Sequence, residues 1–254
     1  MEESGLRARL LRRESLCGTF VKTPAYEVIE VLALAGLDFV ILDAEHAPFD
    51  RARMDACLAM ARALGLPCMV RVPEATPARI LMALDSGAAG VVVPHCFSVE
   101  KAQGAARAAR FGHGGRGFAG STRWAGYATK GMADVLAMGD DTILLGQIEE
   151  PEGVEAAEAI AAVDGIDGLF VGPADLAVCY GERDMNAPVV RDAMRRACAA
   201  AEGAGKAAVT FAGNADTLPD LLETGITTMV FASEHAFMLA GARQVVGAFR
   251  KATG

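Results

Sequence analysis

Short, almost wholly apolar runs recur along this chain, and each is followed by a longer segment of helical periodicity. The runs fall at residues 17–21, 39–43, 68–72, 90–94, 143–148, 168–171, 207–211 and 228–231. Helical patterns are clearest at 24–35, 52–63, 77–86 and 152–162. None of the runs alternates apolar with polar residues, as expected of strands buried on both faces of a parallel sheet. Gly36, Gly65, Gly87 and Gly225 stand between a helical pattern and the next run, where a left-handed C-cap returns the chain to the sheet. Eight β-then-α units in 254 residues, joined by right-handed crossovers, predict an α/β fold: a single-domain (β/α)8 TIM barrel over residues 1–254.

Composition narrows the function. The net charge is −8 and only 6% of residues are aromatic, with no Lys/Arg block, which argues against nucleic-acid or anionic-membrane partners. The richest apolar stretch, 28–42, is broken by Glu30 and Asp38, short of the roughly 18 uninterrupted apolar residues of a membrane span. Residues 1–15 mix Glu2 and Glu3 with Arg7, Arg9, Arg12 and Arg13, which is not a secretory signal pattern. The six cysteines contain no C-x-x-C pair and read as buried thiols of a cytoplasmic protein.

Two segments break the rhythm. Residues 111–137 are rich in glycine and contain the sole tryptophan, Trp124, and residues 172–189 lack a long helical pattern. Both are expected at the C-terminal face of the barrel, where active sites of this fold lie.

The strand ends gather polar residues at that face. The second run leads into Asp43-Ala44-Glu45-His46-Ala47-Pro48, the third carries Arg71, the fifth leads into Gln147-Ile148-Glu149-Glu150-Pro151, and the sixth into Gly172-Pro173-Ala174-Asp175. Carboxylates from neighbouring strand ends, with no cysteine beside them, suit Mg²⁺ or Mn²⁺ better than structural zinc. Two protein ligands leave room for water and a chelating substrate such as a 2-oxo acid. Each acid also fits as the cap of the helix that follows, and the spacing alone leaves Glu149 and Glu150 as alternatives. His46 is the general-base candidate, with Asp43 placed to fix its tautomer. Arg71 ends an apolar run, so its guanidinium needs an anionic partner, either a structural carboxylate or a substrate oxyanion. His95 is expected to line the site, and Arg123 to be solvated or to reach the mouth. The glycine-rich run 114–120 matches no phosphate-binding pattern. Lys22 follows the first strand, but none of the five lysines lies within a strand run, which disfavours a Schiff-base mechanism.

With these residues in view, the sequence resembles the HpcH/HpaI family of metal-dependent 2-oxo-acid aldolases. The likeness runs from Gly18-Thr19-Phe20 to the last helix. It is carried by Asp43-x-Glu45-His46-Ala47-Pro48, Arg71, Gln147-x-Glu149 and Val171-Gly172-Pro173-Ala174-Asp175-Leu176. The resemblance implies a lyase that reversibly cleaves a 4-hydroxy-2-oxo acid to pyruvate and an aldehyde through a metal-stabilised enolate. It selects Glu149, with Asp175, as metal ligand, for Mg²⁺, Mn²⁺ or Co²⁺. His46, supported by Asp43, is the implied acid/base, and Arg71 the implied partner of the pyruvate oxygen. Amides at Gly172 and Ala174 are implied to hold the carboxylate, with Gln147 and Glu45 ordering water around them. A homohexamer is also implied, its last helix packed on a neighbouring subunit. Related lyases or condensing enzymes acting on CoA thioesters or oxaloacetate are the alternative within the superfamily; a barrel that binds metal without turnover is the alternative outside it.

Overall fold

A computed structural model describes residues 5–254. Its strands are β1 (Leu16–Val21), β2 (Phe39–Asp43), β3 (Cys68–Arg71), β4 (Gly90–Val93), β5 (Ile143–Ile148), β6 (Gly168–Val171), β7 (Ala207–Ala212) and β8 (Thr228–Ser233). Its α-helices are α1 (Leu6–Leu11), α2 (Tyr26–Leu34), α3 (Arg51–Ala63), α4 (Pro77–Asp85), α5 (Val99–Ala109), α6 (Met132–Asp140), α7 (Pro151–Glu155), α8 (Ala157–Ala161), α9 (Pro173–Cys179), α10 (Pro188–Gly203), α11 (Leu218–Glu223) and α12 (Glu234–Thr253). The strands pair in sequence order, all parallel, and β8 closes on β1. This is the expected (β/α)8 barrel.

Two apolar layers hold it. The barrel interior contains Phe20, Phe39, Ile41, Met69, Val92, Leu145, Phe170 and Val230, with Leu6 and Leu10 of α1 packed among them. A second shell between strands and outer helices includes Val40, Leu42, Val70, Ile80, Leu144 and Ile160. Gly18 makes room inside the barrel: a Cβ there would lie 2.4 Å from the Phe39 ring. The four glycines expected as C-caps all have left-handed φ, +81°, +69°, +102° and +88°.

Departures from the pattern are local. Strand β3 stops at Arg71, and β4 stops before Pro94, which has no N–H for the ladder. The helix expected over 152–162 is two short helices meeting at Ala156. Residues 111–131 lie at the N-terminal face, not the mouth, because they follow helix α5 rather than a strand. There the Trp124 amide donates to Asp85 O at 3.3 Å, at the end of α4, and Arg62 of α3 donates to Arg123 O at 3.0 Å. Arg123 therefore does not reach the mouth; it pairs with Asp55 at 2.6 Å. Within the glycine-rich run, Arg116 is buried between the Phe111 and Trp124 rings and bonded to Asp85 at 2.6 Å, a structural plug. Residues after β6 do emerge at the mouth, opening α9.

All six cysteines are free, but only four are buried: Cys17 is partly covered and Cys179 is exposed. Among the described residues no helix is long and apolar enough to cross a membrane. The last helix, α12, buries only Glu234 and leaves Phe237, Met238, Leu239, Val245, Val246 and Phe249 exposed.

Candidate active site at the barrel mouth

Asp43, the last residue of β2, is fully buried. Its Oδ1 accepts hydrogen bonds from Arg71 Nε at 3.0 Å and from the His46 amide at 3.1 Å, and pairs with Arg71 Nη2 at 2.8 Å. Its Oδ2 lies 2.8 Å from Lys22 Nζ. Burial pushes this carboxyl up. Arg71's charge, the bonds from Lys22 and Arg71 and the His46 amide outweigh that and hold it below the ordinary aspartate range. Arg71 Nε is also 3.2 Å from Glu45 Oε2, and its guanidinium lies 4.5 Å from the Phe20 ring centre. The anionic partner required for Arg71 is thus a structural pair of carboxylates, and Arg71 also lines the cavity described below.

The expected contact between Asp43 and the His46 ring is not made. Asp43 instead captures the main-chain N–H of His46, three residues on. The ring is exposed, with Nε2 3.7 Å from Glu45 Oε2, and it lines the cavity.

Across the mouth, Glu149 is 3% exposed. It accepts the His95 amide at 2.6 Å and a short bond from Gln147 Nε2. Burial raises its pKa first of all; the His95 amide and ring oppose this, while the charges of Asp175 and Glu45 add to it, and the net direction is upward. His95 takes left-handed φ, +52°, just after Pro94, and its Nδ1 sits 3.0 Å from Glu150 Oε1 and 3.2 Å from Glu149 Oε1. This makes it a hub among carboxylates, more than the lining residue its place in the sequence suggested.

The helix-cap reading of the acids fails: Glu150 is at the N-cap of α7 and Asp175 in the first turn of α9, and neither helix has a side-chain capping bond. Gly172 donates its own N–H to Ile148 O at 2.9 Å, so that amide is not available to a substrate carboxylate. The Ala174 amide, in the first turn of α9, has no acceptor within its helix. What Gly172 contributes is space: a Cβ there would lie 3.0 Å from Glu149 Cβ and 3.4 Å from its Oε2.

These groups surround a cavity of about 390 Å³ that His46, Arg71, Gln147, Asp175 and Lys22 line on its polar side. Phe20, Phe170 and Phe211 form an apolar wall, with ring centres 5.9 and 6.4 Å apart from Phe20. The donor chemistry fits a hard divalent cation. Glu149 and Asp175 repel one another, and Gln147 Oε1 is buried without a partner among the described residues. Among those residues no group of three His, Cys, Asp or Glu side chains forms a complete cage. Glu234 is the residue sequence reasoning missed, a single polar residue just after β8 and outside any motif; Lys22, weighed in the sequence only as a Schiff-base lysine, is instead an ion-pair partner of Asp43.

Residues 16–239 match the family model described as HpcH/HpaI aldolase/citrate lyase. A hydroxypyruvate/pyruvate aldolase of Paraburkholderia phytofirmans is 33% identical over 250 residues, covering 95% of each chain. A 5-keto-4-deoxy-D-glucarate aldolase of Klebsiella pneumoniae is 35% identical over 225 residues, covering 87% of each. The crystal structure of an HpcH/HpaI aldolase/citrate lyase family protein from Burkholderia cenocepacia superposes with a TM-score of 0.91 at 34% identity, over 96% of this chain and 98% of that one. The fold is an eight-stranded parallel barrel with acids, an arginine and a histidine at its C-terminal mouth, and the chain belongs to the HpcH/HpaI aldolase/citrate lyase family. It is an aldolase, a carbon–carbon lyase.

Proposed function

We propose that this chain is a class II pyruvate aldolase, which reversibly cleaves a 4-hydroxy-2-oxo acid to pyruvate and an aldehyde. The observation that carries the reading is Arg71: a buried guanidinium, held at 2.8 Å by Asp43, lining one cavity with His46 and Asp175 beside Glu149. In the cleavage direction His46 takes the proton of the 4-hydroxyl. The C3–C4 bond breaks, its electron pair becomes the enolate of pyruvate, and the aldehyde leaves. The negative charge collects on the former carbonyl oxygen, where Arg71 is a fixed, pre-oriented cation. Proton return to C3 completes pyruvate. The Ala174 amide meets the substrate carboxylate, and the three phenylalanines give the cavity an apolar wall.

Glu149 and Asp175 are the residues that would hold a divalent cation, with Gln147 and Glu45 ordering water about it. Bound there, Mg²⁺ or Mn²⁺, with Co²⁺ as a substitute, supplies Lewis-acid stabilisation of the same oxygen. The exposed apolar residues of α12 support packing of this helix on a neighbouring subunit in a homohexamer, and six unpaired cysteines agree with a cytoplasmic location.

The test is release of pyruvate from a racemic 4-hydroxy-2-oxo acid. Turnover should require added metal, stop with EDTA, and disappear in Glu149→Ala together with the Mn²⁺ binding signal. Thermal stabilisation by metal with no turnover would instead identify a metal-binding barrel.

A further inference from the structure

Resting on that reading of the cavity, we infer that Lys22 is a positioning residue for Arg71. It shares the buried Asp43 carboxylate, so that the guanidinium keeps positive charge for the substrate oxygen instead of having it cancelled.

The geometry is a cation–carboxylate–cation triad. Arg71 occupies Oδ1 of Asp43 through Nε and Nη2, at 3.0 and 2.8 Å, while Lys22 Nζ is 2.8 Å from Oδ2. Asp43 is fully buried, and charges so placed interact more strongly than in bulk water. Were Arg71 its sole cationic partner, Asp43 would oppose the gathering of further negative charge on the same guanidinium. A second ammonium on the opposite oxygen divides that charge. Its ion pair gives Lys22 an electrostatic rather than a nucleophilic task, and its side chain lines the same cavity as Arg71.

The backbone beneath Lys22 is built to hold it. Glu234, 3% exposed, accepts the Lys22 amide at 3.0 Å on each oxygen and the Thr23 amide at 2.6 Å on Oε1. Glu234 follows β8, in which Ala232 has a left-handed φ of +45° and where the β1–β8 register shifts between Gly18 and Phe20. Alanine rarely adopts that conformation. The Glu234 carboxylate thus ties the chain after β8 to the two amides after β1, and the Lys22 stem starts from that clamped backbone.

The experiment is deuterium exchange at the pyruvate methyl group, followed by NMR with saturating Mg²⁺, for the wild type, Lys22→Met, Lys22→Arg, Asp43→Asn and the double variant Lys22→Met/Asp43→Asn. Loss of a direct oxyanion donor costs about 10²–10³-fold in kcat, so a group acting through Asp43 should cost about tenfold. Lys22→Met should therefore lower kcat for exchange about tenfold, with KM for pyruvate changed less than about threefold, while Lys22→Arg recovers most of the rate. In the Asp43→Asn background, adding Lys22→Met should cost less than about twofold, because the charge to be shared is gone. An unchanged kcat in Lys22→Met, or the same tenfold loss with and without Asp43, would overturn the inference while leaving the aldolase reading intact. Absence of exchange in the wild type would overturn the aldolase reading, and the inference with it. Thermal midpoints separate either result from misfolding.

Discussion

Replacing Arg71 by methionine removes a guanidinium that touches Asp43 at 2.8 and 3.0 Å and Glu45 at 3.2 Å, and that covers the Phe20 ring at 4.5 Å. Asp43 is fully buried and Glu45 nearly so, so the change strands negative charge where little water reaches it. Breaking a buried pair by deleting one partner costs about 3–5 kcal/mol. Here Lys22 still holds Asp43 at 2.8 Å, which places the cost near the lower end, at about 3 kcal/mol. For a chain of this length roughly 2–4 °C is lost per kcal/mol, so the thermal midpoint should fall by about 6–12 °C. Arg71→Lys keeps a charge but has no fork to bridge Asp43 and Glu45, and should fall between the two. Urea unfolding at fixed protein concentration, with aldol cleavage measured in parallel, is the assay. Arg71→Met matching the wild type in stability, within about 0.5 kcal/mol, would refute the claim that Arg71 neutralises these carboxylates.

Three further outcomes follow from the same geometry. Asp43 is held below its unfolded value, so its contribution to stability is full above about pH 4 and is lost as pH falls through the depressed native value; urea midpoints from pH 7 to pH 3 should fall less steeply in Asp43→Asn. Gly172→Ala sits at φ −97°, which alanine tolerates, yet its Cβ would meet Glu149 at 3.0 Å. Mn²⁺ affinity measured by electron paramagnetic resonance should drop about tenfold while the unfolding midpoint barely moves. Deleting residues 240–254 removes Val245 and Phe249, each about two-thirds exposed on α12; sedimentation should show a smaller species than the full chain, and an unchanged coefficient would exclude α12 from assembly.

Much of this molecule is legible in its sequence for simple reasons. Strands β2 and β5 are apolar on both faces, as only a buried parallel sheet allows, and their run boundaries match the structure residue for residue. The residues at their ends, Asp43, Gln147 and Glu149, stand out because charge after an apolar run is costly unless partnered. Residues 111–137 are expected at the mouth as though they followed a strand, but helix α5 intervenes after β4, so 111–131 fall at the opposite face and 132–137 belong to α6. Spacing placed Asp43 near His46 but could not show that the amide, not the ring, takes the carboxylate. Nor could it show Glu234 reaching Lys22, since those residues are 212 apart and meet only because β8 closes on β1.

The central claim is that one cavity, lined by His46, Arg71 and Asp175 with Glu149 beside it, enolises a 2-oxo acid. Exchange of pyruvate methyl protons in deuterium oxide tests it with no acceptor aldehyde present. Exchange is expected with Mg²⁺ or Mn²⁺, and is expected to vanish with EDTA and in His46→Ala. Exchange that survives both, or never occurs in the metal-loaded wild type, would contradict it.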